Sequence, residues 1–234
     1  MKILKKPIEL LLLGLALLAL VLLVLVEIRF TLPSRIESDS WVGIFLIKDA
    51  TKNILSSISS GIFSAYLFYL FVDYLPKSRT EQKAIDTLNL VLASVLDAYF
   101  RSRTFGHETA IDQVDVSRLQ LSVLQAEIAE FRRNSSIPIL KLKHGMETAD
   151  SRLPDFRSMI GLAISLSPDH AKQWLVLTDK IRLLAEQSED FHREFLDSST
   201  NLTNSQHDVQ KSLCIRMLEV MEQSEIWLKI CHRL

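Results

Sequence analysis

Glu189 and His192 come nearest to a metal-binding or catalytic pattern in this sequence. They form a Glu-x-x-His pair, and di-iron helical bundles use two such pairs plus two further glutamates, all directed into the bundle. Only one pair is present here, and neither residue lies on the apolar stripe of its predicted helix. We therefore interpret the pair as part of a solvent-exposed helix face and expect no metal site.

The remaining candidate groups are adjacent pairs, His107 with Glu108 and Cys231 with His232. Neighbouring side chains on a helix point in different directions, so neither pair can converge on one site. The sequence also lacks the H-E-x-x-H, C-x-x-C, G-x-S-x-G and phosphate-loop patterns. We expect no catalytic residue, no cofactor and no enzyme activity.

A face of small residues, the serine face, runs along the uncharged segment 53–72. Its members repeat at four-residue spacing in two adjacent rows, Ser56, Ser60 and Ser64 beside Ser57, Gly61 and Ala65. Small residues let another helix approach closely in a membrane, and hydroxyls can hydrogen-bond across the contact. The face is thus interpreted as a packing surface for the first apolar segment, as a contact between copies, or as the lining of a pore.

Two apolar segments must position this face. Residues 10–26 form an unbroken, leucine-rich apolar run between Glu9 and Glu27, and residues 53–72 carry no charge. About 20 apolar residues span a bilayer core of about 30 Å. We predict a transmembrane hairpin over residues 1–75, with spans at about 8–28 and 53–74 and a short external loop at 29–52. The first run exceeds a signal-peptide core and lacks a cleavage site, which favours an anchor.

Basic residues flank the hairpin at both ends, and this determines the predicted topology. Lys2, Lys5 and Lys6 precede the first span, and Lys77 and Arg79 follow the second. Cytoplasmic flanks carry the excess of Lys and Arg. The intervening loop also carries four basic residues, but the ends carry theirs at higher density and the first helix usually dominates, so we place both termini in the cytoplasm. The layout is typical of small integral proteins of the bacterial inner membrane.

Residues 76–234 are predicted to form a cytoplasmic antiparallel bundle of four to five helices, so the fold class is all-α. A capping box of Ser78 and Glu81 indicates a new helix there. The 3,4 alternation in the last two helices is typical of bundle or coiled-coil packing: Trp174, Leu177, Ile181, Leu184, Ser188, Phe191 and Phe195, then Val209, Leu213, Met217, Val220, Ser224, Trp227, Cys231 and Leu234. The stretch 134–152 is interpreted as a long connection with a short strand-like run at 139–143, and Pro154 as a helix start.

The charge pattern limits the possible partners. The formal net charge is −1, which argues against nucleic-acid binding, because phosphate neutralisation requires a basic face. Arg132, Arg133, Lys141 and Lys143 form a candidate cluster for anionic lipid, although an ordinary solvated loop is the preferred interpretation. These patterns predict a non-catalytic sensor or adaptor that self-associates or binds a cytoplasmic protein. The alternative is an oligomeric effector or channel with a serine-lined pore.

Overall fold

The computed structural model describes residues 7–27, 49–101, 110–133, 137–196 and 204–232. Within these ranges all regular structure is helical and no strand is present, which confirms the predicted all-α class. The chain divides into two compact units, Met1–Arg79 and Thr80–Leu234. The predicted external loop at 29–52 lies largely outside the described residues.

Two helices that pack against each other form the first unit. They are α1 (Pro7–Glu27) and α2 (Asp49–Tyr69). Among the residues of these helices whose burial is described, the buried ones are small: Ala16, Ala19 and Ser59, each 2% exposed. Short side chains at the contact let the two backbones approach closely, as in membrane helix pairs.

One helical stretch of the described chain, Asn53–Arg101, is long and apolar enough to cross a membrane, with a mean hydropathy of 1.6 in its most apolar part. The apolar stretch Glu9–Val24 is shorter and does not reach the length needed for a crossing by the same measure. Membrane insertion of the whole predicted hairpin therefore remains a proposal.

A π-helical turn, Leu70–Tyr74, follows α2 and leads directly into α3 (Leu75–Arg101). The N–H of Leu75 donates to the carbonyl of Leu70, five residues earlier. Pro76 has no N–H, so it cannot donate to the carbonyl of Val72 four residues earlier. The five-residue hydrogen bond of the π-helical turn accommodates the proline at this point. Ser78 consequently lies inside α3, so the prediction that it caps a new helix is wrong.

The second unit is a helical bundle built around α3. Nine consecutive residues of this helix, Val91–Tyr99, are buried, so it is enclosed on every side rather than along one stripe. Such a helix needs small residues where neighbours approach, and Ala93, Ser94 and Ala98 provide them. The other helices are α4 (Leu121–Arg133), α5 (Ile139–Ser158), α6 (Ile160–Leu166), α7 (Pro168–Ala185), α8 (Gln187–Leu196) and α9 (Asn204–Cys231).

Helix α5 occupies most of the predicted connection, so that prediction and the predicted helix start at Pro154 are wrong. Residues 139–143, which resemble a strand in sequence, lie in the same helix. Pro154 lies inside the helix. Gly145 also lies inside it, and a Cβ there would stand 3.3 Å from the sulfur of Met217 and 3.5 Å from the Cβ of Tyr99. The glycine therefore serves a close helix crossing rather than a turn.

Helix α7 begins as predicted and packs on α9, α5 and α6. The Ser167 side chain accepts a hydrogen bond from the N–H of His170, Pro168 occupies the first turn, and Asp169 lies where the helix dipole favours an acid. A turn at Glu186 separates α7 from α8, although the predicted stripe continues into α8 with the buried Phe191.

Candidate functional site

The serine face of α2 is exposed within the first unit. Ser56 is half-buried, and the other five residues are exposed: Ser57, Ser60, Gly61, Ser64 and Ala65. A Cβ at Gly61 would have no neighbouring atom within 4 Å. The buried Ser59 lies roughly 160° around the helix from Gly61, at 3.6 residues per turn. Helix α1 therefore covers a different side of α2 and leaves most of the serine face unoccupied.

Aromatic residues crowd the end of α2 and the π-helical turn. Phe68 and Phe71 are exposed, and the rings of Tyr69 and Tyr74 lie 6.5 Å apart. Lys77 and Arg79 follow within a few residues and are exposed. Aromatic rings followed by basic side chains are typical of a membrane–water interface.

The four basic residues of the candidate lipid cluster each contact another group of the bundle. Arg132 pairs with Glu222 at 2.5 Å, and the Arg133 Nε donates to the Ala129 carbonyl. The Lys141 Nζ lies 5.6 Å from the Tyr99 ring centroid, and the Lys143 Nζ lies 3.6 Å from a Glu147 oxygen. The two arginines lie at the end of α4 and the two lysines lie in α5, so none of the four lies in the predicted solvated loop.

Glu189 and His192 lie on α8 and are exposed. The Nδ1 of His192 lies 2.7 Å from the Ser188 carbonyl oxygen, and its Nε2 lies 4.0 Å from a Glu147 oxygen. Both residues border an open groove of about 590 Å³, which is also lined by Asp150, Leu153, Arg157, Arg182, Ala185, Glu186 and Ser188. Among the described residues, no three His, Cys, Asp or Glu side chains are arranged to hold a metal ion.

Both cysteines lie on α9. Cys231 is buried, and burial raises the pKa of the half-buried Cys214 thiol. A raised pKa keeps a thiol protonated and weakly nucleophilic at neutral pH.

The sequence patterns did not identify an aromatic cluster at the start of α7. Trp174 stacks on Phe156 with ring centroids 5.3 Å apart, and lies 5.2 Å from Trp227. His170 meets Trp227 edge-on at 5.6 Å and is only 2% exposed. The available signal was the four-residue spacing of His170 and Trp174, which places both on one helix face.

No family model, curated protein or solved structure matches this chain. Its function is therefore inferred from the residues described above.

Proposed function

We propose that this protein is a membrane-anchored, non-catalytic sensor or adaptor that self-associates through the serine face of α2. In this proposal α1 and α2 form a transmembrane hairpin with both termini in the cytoplasm, and the bundle presents its surface to a cytoplasmic protein.

The observation that supports the membrane anchor is the apolar exterior of the first unit. Leu11, Leu18, Ile54 and Phe68 are between 59% and 68% exposed. Soluble proteins rarely expose contiguous apolar patches of more than a few hundred Å². Burying one such side chain is worth about 1.5–3 kcal/mol, so a lipid environment for these two helices is strongly favoured.

Self-association is supported by the exposure of the serine face on the side of α2 that α1 leaves free. A lipid tail gains little from three hydroxyls and a glycine, whereas a second helix gains close packing and interhelical hydrogen bonds. A second copy of the same face satisfies both requirements. The proposed assembly is therefore a homo-oligomer in which the α2 helices of neighbouring copies meet.

Gly61→Leu is expected to weaken this assembly at least tenfold, since a bulky side chain would hold the two backbones apart. The measurement is the mass of the detergent-solubilised protein, corrected for bound detergent, over a dilution series. Gly14→Leu is the matched control, because Gly14 is also exposed with no atom near its Cβ position. A monomeric wild type, or equal weakening by both substitutions, would contradict the proposal.

The second candidate function is a channel, and the exposed hydroxyls of Ser60 and Ser64 support it. Pore linings need polar side chains but not charges. If α2 lines a pore, Ser60→Leu abolishes ion flux through vesicles containing the reconstituted protein and leaves insertion intact. Ile58→Leu, at an exposed position about 160° around α2 from Ser60, serves as the control and should leave the flux unchanged. Absence of flux in the wild type would exclude the channel and leave the adaptor.

A further inference from the structure

His170 is a titratable group buried where three parts of the bundle meet. It is the third residue of α7 after the Ser167 cap, and its ring packs edge-on against Trp227 of α9. Trp227 donates from Nε1 to Asn89 of α3 at 2.8 Å. The imidazole thus lies among contacts that join α7, α9 and α3.

The His170 ring has a hydrogen-bond contact at Nδ1 and none at Nε2 within the described chain. The Ser167 Oγ accepts the backbone N–H of His170 at 3.3 Å and lies 2.7 Å from the ring Nδ1. The hydroxyl proton can be donated to Nδ1 only if that nitrogen carries no proton. Within the described chain Nε2 is buried without a hydrogen-bond partner, so a ring cation would lack solvation there.

The charged groups that face His170 are Asp169 on its own helix and Glu81 on α3. Both carboxylates attract a cation and thereby raise the pKa of His170. Burial acts in the opposite direction and is the larger effect, so the pKa lies below its ordinary value of 6.5. The N-terminal end of the α7 dipole also disfavours a positive charge at this position.

We propose that His170 is a proton sensor whose protonation opens the bundle where α6 meets α7. A solvent proton makes both ring nitrogens donors, so Nδ1 must donate to the Ser167 Oγ, which already accepts the His170 N–H. Nε2 then has no acceptor within the described chain, and a cation lies against Trp227. An open state that exposes the ring to water binds this proton at the ordinary histidine pKa, about 6.5. Between that value and the lowered pKa of the closed state, the open state holds more protons, and falling pH favours it.

This response of the bundle to pH goes beyond the proposed adaptor function and does not depend on membrane insertion. Opening would expose Phe156, Trp174 and Trp227, which are all fully buried in the closed bundle. The surface that the bundle presents would therefore change with pH below about 6.5.

The test is amide hydrogen exchange of the full-length protein in detergent micelles at pH 7.5, 6.5 and 5.5, corrected for intrinsic exchange rates. Peptides covering residues 160–175 of the wild type are expected to exchange several-fold faster at pH 5.5. His170→Gln should abolish this pH dependence, because glutamine takes up no proton in this range. His207→Gln, at an exposed position on α9, should behave like the wild type.

Glu81→Gln gives a test that leaves the histidine in place. Removing this facing carboxylate lowers the closed-state pKa of His170 further, so the open state holds more protons over a wider pH range and opening at acid pH should be more extensive than in the wild type. Unchanged or reduced opening in Glu81→Gln at acid pH, an unchanged pH dependence in His170→Gln, or no pH dependence in the wild type would each overturn the proposal. So would loss of the response in His144→Gln, because His144 is the other buried imidazole of the described chain.

Discussion

Trp174→Ala is expected to lower the free energy of unfolding of the bundle by about 3–5 kcal/mol. The indole is fully buried, stacks on Phe156 with an interplanar angle of 17°, and contacts the Trp227 ring. Its Nε1 donates to the Phe156 carbonyl at 2.9 Å. A domain of this size is stable by about 5–15 kcal/mol, so the substitution removes a large share of that stability. Urea unfolding followed by helical circular dichroism measures the loss.

Two further variants separate the contribution of the Trp174 hydrogen bond from that of burying its ring. Trp174→Phe keeps a ring in the cluster but leaves the Phe156 carbonyl without its donor, which costs about 1–3 kcal/mol and additionally leaves a small cavity. Leu175→Ala, at the neighbouring exposed position, should change stability by less than about 0.5 kcal/mol. If Trp174→Ala proved no more destabilising than Leu175→Ala, the aromatic cluster would not hold α5, α7 and α9 together.

The all-α class and the last two helical stripes could be predicted because their patterns are strongly periodic and α7 has an explicit start. Trp174, Leu177 and Ile181 on α7 are fully buried, as are Leu213 and Met217 on α9. These residues form the buried face of each helix, and a 3,4 alternation predicts such a face directly. The polar Ser224 on the α9 stripe donates to the Val220 carbonyl of its own helix, so it needs no partner on another helix.

The sequence did not predict helix α5, because the segment contains proline and glycine residues that normally indicate turns. Pro138, Gly145 and Pro154 indicate turns when only the neighbouring residues are considered. In the structure Pro138 precedes the helix, Gly145 makes room for Met217, and Pro154 lies in the last turns. Leu142, Met146, Ala149 and Phe156 of this helix are fully buried. Their helical spacing was not recognised, because the prolines and the glycine indicate that the segment is interrupted.

The serine face shows a second limit of sequence reasoning. Four-residue spacing is sufficient to place its six residues on one side of α2. Spacing alone could not show that α1 packs against Ser59 instead, because α1 is almost uniformly apolar and offers no polar group that selects a partner face. The choice between faces depends on close packing of Ala16 and Ala19, which is a tertiary property.

Arg101→Met is expected to destabilise the bundle by about 3–5 kcal/mol, because it leaves a buried carboxylate without its counter-charge. The Asp97 carboxylate is 1% exposed, and the Arg101 Nε lies 2.8 Å from its Oδ2 and 2.9 Å from its Oδ1. The same guanidinium donates from Nη2 to the Gln113 carbonyl at 2.5 Å. Hydrogen exchange of residues 110–119 should therefore accelerate together with the loss of global stability in urea.

A comparison of four variants distinguishes a buried ion pair from ordinary packing. The double variant Asp97→Leu with Arg101→Met removes both charges and should recover most of the stability that Arg101→Met loses, since apolar replacements of buried pairs are often neutral or stabilising. Asp97→Leu alone should cost less than Arg101→Met, because Arg101 is partly exposed and can keep its charge in water. Arg182→Met is the matched control and should change stability little, because Arg182 pairs with Asp179 and Glu186 on an exposed face, where solvent screens such pairs. Equal losses in Arg101→Met and Arg182→Met would show that the Asp97 carboxylate is solvated, and that the central helix of the bundle is less tightly enclosed than its nine consecutive buried residues indicate.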